Sequence, residues 1–167
     1  MNRRGGGKRK HLLFPLDLEK AYSNKLSGVI DIALVLDALV SVIAVIDKER
    51  SGLRPVYLKK LKEIACSFAE KNVLCDTHLL ENQTTISSEV ITFSEQIEDV
   101  IILLMTHHDK KTERPYLGLM ETEVLSRTDV PVLFLNPRST VILSYNNSNQ
   151  YNHPSYPSAI PMGDPLF

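Results

Sequence analysis

Cysteine is nearly absent from this chain: Cys66 and Cys75 are the only two in 167 residues. They form no CxxC pair, which removes the usual zinc and dithiol motifs. Cys66 lies in a helix-like apolar stretch and Cys75 in a strand-like one, so both are expected as small buried hydrophobes in a reducing compartment. Long apolar runs are missing too. The nearest approach, residues 29–46, is broken by Asp31, Asp37 and Ser41, so nothing spans a bilayer. No basic-then-apolar leader opens the chain, and the sequons at Asn82 and Asn146 therefore stand without a secretion signal. A cytoplasmic location is expected. The body also lacks positive charge. Five of the 19 basic residues (Arg3, Arg4, Lys8, Arg9, Lys10) fall in the first ten positions, leaving 14 against 20 acids. A body at net −6 gives no support to broad nucleic-acid binding. There is no strand–turn–helix G-x-S-x-G, so nucleophilic catalysis has little to stand on, and no enzyme activity is expected.

What is present is the balance of one globular domain, 43% apolar and 23% charged. Residues 1–10 form a basic, glycine-rich arm that cannot pack. Residues 138–167 are an Asn-, Tyr- and Pro-rich extension, in which TVILSY (140–145) alone is suited to a short strand or to lying across the core. Residues 11–137 alternate two periods. LLFPL (12–16), LVSVIAVI (39–46), residues 73–80, DVIILLM (99–105) and VPVLFL (130–135) read as strands. Residues 21–37, 56–71, 86–97 and 117–126 carry helical stripes, the third marked by Ile86, Val90, Phe93 and Ile97. This order predicts a doubly wound five-stranded parallel sheet with helices on both faces, an α/β, Rossmann-like architecture. Ligands would then bind outside the carboxyl ends of the strands, after Leu16, Ile46 and Met105.

The runs LLFPLD (12–17), AVID (44–47), DVIILLM (99–105) and DVPVLFL (129–135), taken in order and spacing, resemble the universal stress protein family, over residues 11–136. That likeness implies the family's adenine nucleotide alpha hydrolase-like fold. It also aligns a nucleotide site: Asp17 matches the acid after the first strand, and Val45 a residue that packs on the base. An aspartate after a strand also caps a following helix, and that alternative stands beside the first. Nucleotide-binding members carry a G-x2-G-x9-G-[S/T] loop whose backbone N–H groups hold phosphate oxygens. Here its four positions fall on Met105, His108, Gly118 and Leu119, and only Gly118 agrees. The implied cofactor is therefore none; ATP or AMP would have to use Asp17 and Val45 for the base. Lys110, Lys111 and Arg114 offset Asp109 and Glu113 and would supply attraction for phosphate.

The stretch THHDKKTERPYLG (106–118) also raises a metal site at His107, His108 and Asp109. Adjacent residues on an extended segment point to opposite faces, so the two histidines converge poorly. Asp17 could join them. His11 could not, lying a strand-length away, roughly 16 Å at about 3.3 Å per residue. A His108–Asp17 dyad lacks a nucleophile. His153 lies in the proline-rich tail as a solvated residue. The family likeness further implies a homodimer formed along the strand from Val130 to Leu135, expected at the sheet edge. The expected role is a regulatory, stress-response protein acting through dimerisation and partners. The alternatives are an adenine-nucleotide-binding signalling protein, or a cytosolic regulatory domain of a membrane transporter, the one case in which the basic arm would meet a membrane.

Overall fold

The computed structural model describes residues 9–112 and 114–136, and the backbone of 142–145. Most of the basic arm, Glu113, His153 and the rest of the C-terminal extension lie outside the described residues. The elements run β1 (His11–Pro15), α1 (Ser23–Leu36), β2 (Leu39–Asp47), a 3-10 turn (Lys48–Leu53), α2 (Arg54–Glu70), β3 (Cys75–Asn82), α3 (Ile86–Ser94), β4 (Val100–Met105), β5 (His107–His108), β6 (Pro115–Tyr116), α4 (Leu119–Arg127), β7 (Val132–Leu135) and β8 (Ile142–Tyr145). No described helix is long and apolar enough to cross a membrane.

The main sheet has the order β3-β2-β1-β4-β7-β8, its first five strands parallel. Alternate residues of each strand supply two separate cores. On one face Leu12, Phe14, Val42 and Leu103 meet Val29 and Ala33 of α1 and Leu61, Ile64 and Phe68 of α2. On the other, Leu13, Ile43, Ile102 and Phe134 meet Val90 and Ile91 of α3 and Val124 of α4. Strands covered on both sides have no use for polar residues, which is why VIILLM and LLF are continuous. Phe14, Phe68 and Phe134 are almost wholly buried, each stabilising the fold by about 1.5 to 3 kcal/mol before entropy is counted. The turns into β2, β3 and β4 are made by Asp37, Asn72 and Asp99, all at positive φ (49°, 58° and 53°). Their short polar side chains tolerate the left-handed region better than other non-glycine residues do.

Four features differ from the sequence reading. Cys66 is exposed. The buried stripe of α2 runs through Tyr57, Leu61, Ile64 and Phe68, and a residue two places from both Ile64 and Phe68 faces the opposite way. Cys75 is half-buried, and that burial pushes its thiol up to about 12. The third helix ends at Ser94, and Ile97 packs on the second core from the turn beyond. β7 is not the sheet edge. The segment 142–145 returns antiparallel along its outer side, pairing Leu135 with Ile142 and Val132 with Tyr145.

Candidate functional site

β1 and β4 are neighbours whose onward connections diverge, β1 toward β2 and β3 and β4 toward β7. That divergence opens a crevice beyond the carboxyl ends of the strands. A cleft of about 390 Å3 lies there, with Pro15, Val45, Leu104 and Met105 among its apolar lining. Small-molecule sites range from about 300 to 1,000 Å3.

One wall is the loop after β1. The N–H of Glu19 donates to Asp17 Oδ1 at 2.9 Å, and Lys20 Nζ lies 3.2 Å from Oδ2, so Asp17 closes a tight turn on its own backbone. Partial burial pushes the Asp17 carboxyl up, but the Glu19 N–H and the Lys20 ammonium outweigh it and hold the group below its usual range. Asp17 does not cap α1, whose N-cap is Tyr22. Glu19 accepts from Arg50 and, at 2.9 Å, from the Tyr57 hydroxyl, and Lys60 Nζ donates to the Leu18 carbonyl at 2.7 Å. These bonds fasten the loop to the 3-10 turn and α2. Beside them, Asn82 Nδ2 donates to Asp47 Oδ1 at 3.1 Å.

The opposite wall is the start of α4. Glu121 stands in its first turn, only 6% exposed, with Oε1 3.0 Å from His107 Nε2. The His107 ring stacks on Tyr116 with centroids 5.5 Å apart. A carboxylate at a helix N-terminus is favoured by the unpaired N–H groups and the helix dipole. The cavity that admits it is made by Gly118: a Cβ there would lie 2.5 Å from Glu121 Oε2. Between β4 and α4 the chain folds as a hairpin, β5 pairing with β6 as His107 with Tyr116 and His108 with Pro115. Its tip is closed by Asp109, whose Oδ1 accepts from the N–H groups of Lys111 at 2.8 Å and Thr112 at 2.7 Å. Those two donors hold the Asp109 carboxyl below its usual range.

No protein-family model matches the sequence, and no curated protein matches it. Solved structures do match its fold. A universal stress protein from Archaeoglobus fulgidus superposes with a TM-score of 0.62 at 12% identity, over 76% of this chain and 98% of that one. A universal stress protein family member from Burkholderia pseudomallei gives 0.62 at 15%, over 78% and 98%. The Archaeoglobus fulgidus protein in complex with dAMP gives 0.56 at 12%, over 75% and 96%. The fold is that of the universal stress proteins.

Within that universal-stress-protein fold, Asp17, Val45 and Gly118, the three aligned positions expected from the sequence, line one cleft, as does Met105. Leu119 is on its rim, 77% exposed. His108 is not in the lining; its Nε2 bonds Asn136 Oδ1 at 2.6 Å, while His107 turns the other way to Glu121. The dyad of His108 with Asp17 is therefore not formed. Among the described residues no group of three or more His, Cys, Asp or Glu is placed to share a metal ion. Lys110, Lys111 and Arg114 stand on the hairpin away from the lining, whose cations are Lys20, Lys25 and Arg50. Sequence reading missed Glu121 and His107 as a pair. The available signal was an acid three residues after the one retained glycine, at the head of a helix.

Proposed function

We propose that this chain is a non-catalytic regulatory module of the universal-stress-protein type, cytosolic, acting through self-association and protein partners, with no use of nucleoside triphosphate through a phosphate loop. The observation that carries this reading is the Glu121 carboxylate, buried at the head of α4 beside Gly118. In the aligned loop motif that helix start is where a hydroxyl residue and free N–H groups would face phosphate. A fixed carboxylate there repels phosphate in surroundings where water screens the charges poorly. On the hairpin, the N–H groups of Lys111 and Thr112 are engaged by Asp109.

The second reading, a binder of adenine compounds, is supported by Asp17 and Val45 in the lining of the cleft and by the dAMP held by the Archaeoglobus fulgidus protein. Calorimetric titration with ATP, ADP and AMP, with and without magnesium, tests the first reading. No heat from ATP up to millimolar concentration is the expected result. Micromolar ATP binding would overturn it.

A further inference from the structure

The regulatory reading leaves a cleft of about 390 Å3 without an occupant. Resting on that reading, we propose that the cleft takes a phosphate-free ligand of nucleoside size, uncharged and carrying hydroxyl groups, and that Glu121 sets this choice.

Charge is the first argument. The lining holds four carboxylates, Asp17, Glu19, Asp47 and Glu121, against Lys20, Lys25 and Arg50. Lys20 is paired with Asp17 and Arg50 with Glu19, which leaves Lys25 against Asp47 and Glu121 and a lining with one negative group in excess. Hydrogen-bond polarity is the second. An ionised carboxylate only accepts, and a phosphate oxygen likewise only accepts at neutral pH, so the two cannot bond across the cleft. A hydroxyl donates. Glu121 has one oxygen engaged by His107, and two carboxylate oxygens offer about four acceptor sites, so lone pairs remain for a ligand hydroxyl. Shape is the third. The lining joins apolar residues, Pro15, Val45 and Met105 among them, to the polar groups just named. A nucleoside has both parts, an apolar ring and a set of hydroxyls.

Titration of the full chain with adenosine, AMP and ATP–magnesium tests this directly. Adenosine is expected to bind at least tenfold more tightly than AMP, and ATP to give no heat. This comparison needs no variant. Glu121→Gln, checked for folding by its thermal melt, should narrow the adenosine-to-AMP ratio at least tenfold, since an amide can donate to phosphate. Three results would overturn the inference. No heat from any of the three compounds removes the nucleoside ligand and leaves the regulatory reading standing. ATP binding more tightly than adenosine removes both. An unchanged ratio in a folded Glu121→Gln protein removes the role of Glu121.

Discussion

Gly118 lies so close to Glu121 that a methyl group on its α-carbon would sit 2.5 Å from the carboxylate Oε2 and 3.1 Å from Nε2 of His107. Its φ of −73° is open to any residue, so space and not backbone conformation demands the glycine. Gly118→Ala should drive the Glu121 side chain from its place, separate it from His107 and cost about 1 to 2 kcal/mol in urea unfolding. The same change made on a Glu121→Ala background should cost less than half as much, because the obstruction is gone. Strict additivity of the two changes would show that the close approach carries no energy.

Thr106, between β4 and β5, has a buried hydroxyl with no hydrogen-bond partner among the described residues. Its backbone N–H is satisfied by the Leu135 carbonyl at 3.0 Å, so only the side chain is at a loss. Valine has nearly the same shape and no hydroxyl to desolvate. Thr106→Val should stabilise the protein by about 1 kcal/mol, and a thermal melt should shift upward by about 3 °C. A downward shift would mean that the hydroxyl has a partner.

Much of the fold was legible because its two periods are well separated in the sequence. The continuous apolar strands announced a sheet covered on both faces, and the stripe through Ile86, Val90 and Phe93 announced a helix. Cys66 was misplaced because IACSFA is apolar all round, and the solvent-facing member of such a stretch is fixed only by the phase of the whole helix. β5 and β6 left no trace, being two residues each; they are held by a turn at Asp109 rather than by alternation. The site was half legible. Asp17 follows β1, Val45 lies near the carboxyl end of β2 and Gly118 precedes α4, positions that topology brings together. His107 and Glu121 meet across 14 residues of sequence and a hairpin, and no local pattern encodes that distance.

Acid should weaken the protein in two separate windows. His11 Nε2 lies 2.6 Å from Ser41 Oγ, which donates to Asp76, and His78 Nε2 lies 3.3 Å from the same Asp76 carboxylate. Burial pushes the His11 imidazole below its ordinary 6.5, the negative charge of Asp76 restores part of this, and His78 lowers it further. The unfolded chain then binds the proton more readily than the folded one. Stability should be flat above pH 6.5, fall as pH drops from there toward the folded value, and level off below it. Asp17 and Asp109, both depressed from 3.8, contribute stability that is lost only at lower pH. Urea midpoints taken from about pH 7 to about pH 5 should therefore decline in the wild type and decline less in His11→Gln. Equal slopes would assign the loss to other groups.

The pairing of Leu135 with Ile142 bears on self-association. β7 has two sides. One is bonded to β4, and the other is taken by β8 through four residue pairs from Val132 to Leu135. A second copy of the chain cannot pair with β7 while β8 is in place; it must add to β8 or displace it. Unpaired N–H and C=O groups along a bared strand would seek a partner, because leaving them without hydrogen bonds in an apolar edge is costly. A chain ending at Asn136 lacks β8 and exposes β7, whose Val132, Leu133, Phe134 and Leu135 are all buried in the full protein. Sedimentation velocity should show the shortened protein dimerising at least tenfold more tightly than the full chain, a difference of about 1.4 kcal/mol. If the shortened protein stays folded by circular dichroism and sediments as the full chain does, β7 is not the strand through which copies meet. If instead the full chain dimerises and the shortened one does not, β8 forms the contact, either as the outer strand or by crossing to the partner.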